Sequence, residues 1–313
     1  MIYGILAGIF WALETVTLGK ALTAAPFIST ERAAFLSPFI STFIHDLFSA
    51  LWAGLFNGCR GDLKNVWQAF LTRSGKFVVL AAVIGGPVGM TGYVLAIRYM
   101  GASVGAVASA VFPAIGAVLA VIFLKEKMPW YRWIFLLLTL GGVYGLSFSP
   151  QLDIRNFWLG LVGVLMCSFG WGIEAVILAK ALRDTSVRGE FALQIRQTTS
   201  SLVSAAVILP ALRGWGFTVD LFKSGSSSLF LLIAAAALFA TVSYLFYYKA
   251  ISRIGASKAM ALDVSYAAWA IVFTVVIFRD TSQLTPLTVG CALIVIVCGI
   301  LAAADFSKKP CAA

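Results

Sequence analysis

The sequence predicts an all-α membrane protein of ten transmembrane helices, arranged as two inverted five-helix repeats. Three observations lead there. Of its 313 residues, 61% are hydrophobic and only 12% charged, against about 25% charged in a soluble domain. A water-soluble domain of about this size still exposes roughly a quarter of its chain surface, so apolar residues this abundant require lipid as the solvent. Ten apolar stretches of spanning length follow one another, and short motifs of the first half return in the second.

A spanning helix needs about 20 apolar residues. The first stretch, 3–22, carries Glu14 and lacks the basic leader of a signal peptide, so it reads as a retained span. The second, 34–56, holds His45 and Asp46. The third (77–97) and fourth (99–124) are uncharged and contain Pro87 and Pro113. Each proline removes a backbone donor and can kink its helix, giving a hinge, a freed carbonyl for ligand, or a static bend. The segment 57–76 between the second and third spans reads as a basic loop. The fifth span, 133–152, is uncharged. The sixth (156–179) carries Glu174, the seventh (190–212) Arg196, and the ninth (257–278) Asp263. The eighth (224–248) and tenth (281–304) have no charge. Four GxxxG pairs, Gly4/Gly8, Gly85/Gly89, Gly101/Gly105 and Gly141/Gly145, let helices approach closely.

The net charge of +10 is explained by loops rather than by nucleic acid. Of 23 Lys+Arg, Arg196 is intramembrane. Seven (Lys20, Arg32, Arg98, Arg155, Arg213, Lys223, Arg279) fall on one side and the remaining fifteen, Lys308 and Lys309 among them, on the other. Cytoplasmic loops carry the basic excess, so both termini are expected inside. The five cysteines form no CxxC and no disulfide framework; Cys167, Cys291 and Cys298 sit in apolar runs as small hydrophobes, and Cys59 and Cys311 lie outside the spans.

The repeat divides the chain at 1–150 and 151–313. Trp11-Ala12-Leu13-Glu14 recurs as Trp171-Gly172-Ile173-Glu174, and Lys20-Ala21-Leu22 as Lys180-Ala181-Leu182, at an offset of 160. Ala96-Ile97 and Gly101-Ala102-Ser103 recur as Ala250-Ile251 and Gly255-Ala256-Ser257 at 154, which also pairs Tyr93 with Tyr247, Phe112 with Tyr266 and Ser109 with Asp263. Two colinear blocks at nearly equal offsets mark an internal repeat. With five spans each, the halves enter the membrane from opposite sides. Inverted repeats place a transported substrate near the midplane between them.

Five-plus-five spans with these motifs resemble the drug/metabolite transporter superfamily, in its EamA-type ten-helix branch. His45-Asp46, Gly86-Pro87-Val88-Gly89-Met90, the stretch from Gly101 to Pro113, Trp171-Gly172-Ile173-Glu174, the run from Ile195 to Ser200, and the run from Val264 to Trp269 are similar to bacterial choline permeases of the LicB type. That resemblance implies a multi-pass protein of the bacterial cytoplasmic (inner) membrane whose substrate is choline or a relative. Glu14 and Asp263 depart from the pattern, which has uncharged residues there, and so alter the charge of the cavity.

Ionisable groups at the bilayer centre cost about 2.5–3.5 kcal/mol on insertion scales and face cavities or partners. Four acids, Glu14, Asp46, Glu174 and Asp263, stand against the single base Arg196, with His45 adjacent. Arg196 is either a structural lock, with Asp46 as the leading partner, or part of the ligand site. It cannot neutralise four acids, so a proton or an external cation must contribute. A carboxyl taken out of water prefers its neutral form, which makes Glu14 or Asp46 a candidate proton carrier and His45, Asp46 and Arg196 a coupling or ion-pair set.

Trp11 shares a helix face with Glu14, and Trp171 with Glu174. Asp263, Tyr266 and Trp269 form a stripe on the ninth span, and Tyr244, Tyr247 and Tyr248 another on the eighth; the third adds Tyr93 and the fourth Phe112. A quaternary ammonium donates no strong hydrogen bond and is held by aromatic faces, each contributing about 0.5–2 kcal/mol, with a carboxylate as countercharge. Trp130, Trp133 and Trp158, at span ends, read instead as an interfacial belt. The substrate-binding candidates are therefore Trp11, Glu14, Tyr93, Trp171, Glu174, Tyr244, Tyr247, Tyr248, Asp263, Tyr266 and Trp269, with Glu174 as the expected countercharge and Glu14 as the expected proton site.

The function expected is a secondary permease for a small organic cation, driven by membrane potential and a possible proton partner. The alternative is an exporter of amino acids or other metabolites in the same fold. No GxGD, HExxH, GxSxG or Walker A motif is present, so neither an enzyme nor ATP-driven transport is expected, and no cofactor, metal or nucleic-acid partner is called for.

Overall fold

The structure, a computed structural model, describes residues 1–100, 102–147, 154–223, 227–281 and 284–306, with the backbone alone given for 102–109. Gly101, Lys308, Lys309 and Cys311 lie outside the described residues, as does the Ser109 side chain, and Gly105 is described by its backbone alone.

The described residues form twelve helices. They are α1 (Ile2–Leu22), α2 (Glu31–Cys59), α3 (Leu63–Leu71), α4 (Arg73–Met100), α5 (Ala102–Leu124), α6 (Trp130–Leu146), α7 (Phe157–Ala181), α8 (Gly189–Ala211), α9 (Trp215–Lys223), α10 (Ser227–Ile254), α11 (Ala256–Phe278) and α12 (Pro286–Ala303). Seven of them (α1, α2, α4, α7, α10, α11 and α12) are long and apolar enough to cross a membrane. An eighth crossing follows if α8 and α9, bent by 113°, count as one. The remaining two predicted spans coincide with α5 and with α6, a 17-residue helix.

Helix starts follow local chemistry. Thr30, Thr72, Asn156 and Thr285 each accept a backbone N–H of the first turn, opening α2, α4, α7 and α12. The N-terminus of α11 is closed from a distance. Glu126, in the α5–α6 loop, accepts Ala256 N at 2.7 Å, Ser257 N at 3.1 Å and Ser257 Oγ at 2.5 Å.

Three spans are irregular. Residues 84–88 of α4 and 204–208 of α8 form π-turns, and α11 breaks at Val264–Ser265, where Ser265 N and Ala267 N bond three residues back, to Leu262 O and Val264 O. Pro87 lies inside the first π-turn. Two residues before it, the carbonyl of Gly85 accepts the Trp171 indole N–H at 2.8 Å.

The helices pack in a matched pattern. α1 lies on α10 and α11, and α7 lies on α4 and α5. α2 contacts α10, and α8 contacts α4. α2 meets α8, α5 meets α11, and α6 meets α12 across the bundle. Glycines set the closest approaches. A Cβ at Gly85 would overlap the Glu174 carboxylate, and one at Gly92 would stand 2.6 Å from Cys167 N.

Two predicted loop regions hold short helices instead. α3 and α9 are nine residues each and follow α2 and α8. Trp67 of α3 is exposed while Val66 and Ala69 are buried, the one-sided pattern of a helix lying along a surface.

Candidate substrate site

A cavity of about 400 Å³ lies at the centre of the bundle, where α1, α2, α4, α5, α7, α8, α10 and α11 converge. It reaches the end of the bundle where α1 finishes and α2 begins, along Leu18, Gly19, Leu22, Pro38 and Ile97. Trp11, Glu14, Tyr93, Trp171, Glu174, Tyr244, Tyr247, Asp263 and Tyr266 line it, together with His45, Asp46, Arg196 and Phe112. Two expected members do not line it. Tyr248 is turned toward a second cavity, and Trp269 lies one turn beyond Tyr266 with its indole N–H buried and unpartnered among the described residues.

One wall is a buried charge network. Arg196, on α8, donates through Nε to Glu174 Oε1 at 2.9 Å and through Nη1 to Gln197 Oε1 at 2.7 Å, and stands 3.9 Å from Asp46 Oδ1. The guanidinium therefore belongs first to Glu174, although Asp46 was the partner expected from sequence. Asp46 is satisfied otherwise: Ser200 Oγ donates to Oδ2 at 2.6 Å and His45 Nδ1 lies 3.1 Å from Oδ1. His45 Nε2 is 3.7 Å from Glu14 Oε1, and Thr15 donates to Glu14 Oε2 at 3.2 Å. Gln197 Nε2 donates to Ser49 Oγ, which shares a hydrogen bond with Thr241, each at 2.8 Å. Buried polar groups need such completion, and the network extends from α1 to α10.

The opposite wall is barer. Asp263 sits at the break of α11, buried, with Oδ1 unpartnered among the described residues. The hydroxyl of Tyr247 is likewise buried and unpartnered. The break is held by α1: a Cβ at Gly8 would stand 2.7 Å from Ser265 Oγ and 3.0 Å from Asp263 O.

Aromatic rings fill the space between these walls in two groups. Trp171 meets Tyr93 at 5.9 Å and Phe112 at 6.1 Å, the latter at 90°. Its indole is fixed by the bond to Gly85 O, so the three rings form a preset corner. Trp11 meets Tyr244 at 5.1 Å, and the Arg196 guanidinium lies over the Tyr244 ring at 4.8 Å. That second group already holds a cation. Among the described residues no three His, Cys, Asp or Glu side chains converge as metal ligands.

Gln197, Ser49, Thr241 and Ser200 had no assigned role in the sequence reading. Ser200 was within reach of it: the offset of 154 that pairs Tyr93 with Tyr247 also pairs Asp46 with Ser200.

Comparisons with known proteins agree with this architecture. Residues 1–148 match the EamA-like transporter family. The chain is 27% identical to Protein LicB of Haemophilus influenzae over 290 residues, covering 92% of this chain and 91% of that protein. It is 23% identical over 266 residues to an S-adenosylmethionine uptake transporter of Rickettsia bellii, covering 78% and 86%. A solved crystal structure, 15% identical, superposes with a TM-score of 0.71 over 96% of this chain and 95% of the other, which establishes the fold alone.

Proposed function

We propose that this chain, whose residues 1–148 match the EamA-like transporter family, is a permease of that kind for a small organic cation, choline or a related onium compound. The observation that carries this reading is the corner of Trp171, Tyr93 and Phe112 in the same cavity as the Asp263 carboxylate, whose Oδ1 is unpartnered among the described residues. An onium group needs ring faces rather than hydrogen-bond acceptors, and its charge needs an anion that is not already paired. Glu174 is held by Arg196, so Asp263 takes the role of countercharge that the sequence suggested for Glu174. The same pairing argues against an amino-acid substrate, because the base that would receive its carboxylate is occupied.

Two halves, 1–150 and 151–313, alternate about this cavity in an inverted arrangement. The support is the matched packing, in which α1 with α10 and α11 mirrors α7 with α4 and α5. Both termini face the cytoplasm of a bacterial inner membrane. An interior-negative potential then contributes about 2.3 kcal/mol per charge per 100 mV to uptake. The His45–Glu14 contact is the candidate place for an accompanying proton.

A second reading is favoured by size. The cavity of about 400 Å³ has room for an onium compound larger than choline. The Rickettsia relative is named for S-adenosylmethionine uptake, and that molecule is a sulfonium, although its amino-acid carboxylate would have to compete with Glu174 for Arg196.

The test is a thermal-shift and uptake screen on the purified protein, in which a ligand binding only the folded state raises Tm. Choline or another onium raises Tm and accumulates in interior-negative vesicles. Asp263→Asn weakens its binding at least ten-fold, while Asp263→Glu retains part of it. A response to aromatic amino acids with none to any onium overturns the reading.

A further inference from the structure

A second cavity, of about 570 Å³, lies at the end of the bundle where α2 and α7 finish and α8 begins. It sits directly behind the first. On α7, Leu178 lines the central cavity and Leu182, one turn on, lines the second. On α10, Tyr244 and Tyr247 line the central cavity, while Tyr248 and Ser252 line the second. The two spaces are thus consecutive stations along the same pair of helices.

Tyrosines stand where the two linings meet on α10: Tyr244 and Tyr247 on one side, Tyr248 on the other. Tyr248 is fully buried, its ring 5.8 Å from Tyr244 and 6.3 Å from Tyr247. Its hydroxyl and that of Tyr247 have no hydrogen-bond partner among the described residues. No polar bond therefore fixes the Tyr248 side chain in place. The start of α8 backs it, since a Cβ at Gly189 would stand 3.4 Å from Tyr248 Cβ.

A ring of ion pairs surrounds this end. Arg188 contacts Glu190 at 2.7 Å and Asp62 at 3.6 Å; Arg60 contacts Asp62 at 3.5 Å and Glu190 at 3.8 Å. The ring ties the end of α2 to the start of α8, with Asn57 Nδ2 donating to Glu190 O at 3.3 Å. Both arginines are half exposed, and exposed pairs are individually weak. Such a ring holds without locking.

We propose that the second cavity is the far vestibule of the transport path, that Tyr248 is the gate between it and the central cavity, and that the Arg60–Asp62–Arg188–Glu190 ring keeps the gate shut. This rests on the transporter reading but not on the identity of the substrate. Ring opening lets the start of α8 move off Tyr248, and rotation of that one side chain joins the two spaces.

The test reads access rather than transport. In a background with all five native cysteines replaced, single cysteines are placed at Ser252, in the vestibule, and at Thr15, in the central cavity. A trimethylammonium methanethiosulfonate is applied to the face where α2 ends. Ser252→Cys is modified, and Thr15→Cys is protected. Adding Tyr248→Ala speeds modification of Thr15→Cys at least ten-fold and leaves Ser252→Cys unchanged, with a cooperative melting transition showing that the variant is folded. Tyr248→Phe, which keeps the ring, protects Thr15→Cys as the parent does. Adding Arg188→Gln speeds Thr15→Cys by a smaller factor. Equal modification of Thr15→Cys with and without the Tyr248 ring, or no modification of Ser252→Cys, overturns the proposal. Failure of every onium to bind the wild-type protein would remove the substrate reading and leave these rates as they are.

Discussion

Arg196 is the residue on which the buried network depends. It satisfies Glu174 and Gln197 by direct hydrogen bonds and only approaches Asp46. Removing one member of a buried pair costs about 3–5 kcal/mol, because it strands the other charge. Arg196→Leu therefore lowers Tm sharply in detergent, and Arg196→Leu with Glu174→Gln recovers more of it than Arg196→Leu with Asp46→Asn. A double-mutant cycle in which the Glu174 and Arg196 effects simply add would show that they are not coupled. The sequence made all six intramembrane ionisable residues visible, since each interrupts an apolar run. It could not assign partners among them. Two acids, Glu174 and Asp46, lie within 4 Å of the one base, and the hydrogen bonds made by Ser200 and Gln197 decide between them.

At the level of elements, the glycine-rich π-turn of α4 is the piece that seats the site. A methyl group at Gly85 would overlap Glu174, and one at Gly89 would stand 2.7 Å from the Trp171 indole nitrogen. Gly85→Ala should abolish onium binding and lower Tm. Gly141→Ala, on α6, meets nothing within 4 Å and should leave Tm unchanged or slightly raised, as helical Gly→Ala changes amount to about 0.5–1 kcal/mol in its favour. Equal tolerance at both positions, measured side by side, would contradict the packing. Glu126 is a second case. Its carboxylate holds three donors at the start of α11, so Glu126→Ala should cost about 1–2 kcal/mol, as does loss of a strong helix cap, and expose the first turn of α11 to hydrogen exchange. Elements with a long apolar period were legible: α1, at Ile2–Leu22, falls within one residue of the predicted 3–22. The π-turns and the break at Val264–Ser265 were not. No glycine or proline stands at that break to mark it, and Gly8 of α1, which packs against it, is far away in sequence. The helices α3 and α9 escaped because nine residues give too few turns for periodicity to rise above the loop composition.

For the whole molecule, the arrangement of sides can be measured with a residue already present. Cys59, at the end of α2, is exposed, while Cys167, Cys291 and Cys298 are buried. With Cys311 changed to Ser, an impermeant thiol reagent should modify Cys59 in inverted membrane vesicles and spare it in intact cells. The reverse would place both termini outside. The expectation of a repeat rests on two colinear blocks of motif, and the matched packing of α1 and α7 supports it. Its consequence for the interior was not legible. Each half brings a tryptophan against a tyrosine, Trp171 with Tyr93 and Trp11 with Tyr244, but only the second tyrosine carries a guanidinium on its face.

That guanidinium amounts to a tethered guest. It lies on Tyr244 as a free cation would lie on a ring elsewhere in the cavity, yet it is supplied by the chain itself and cannot diffuse away. On the proposed onium reading, a loaded protein holds two cations on aromatic faces, one resident and one in transit. Because the resident never leaves, the site described by the proposed reading is never all-acid: Arg196 continues to answer Glu174 when the solute has gone, and the remaining acids are left to a proton or to the next cation.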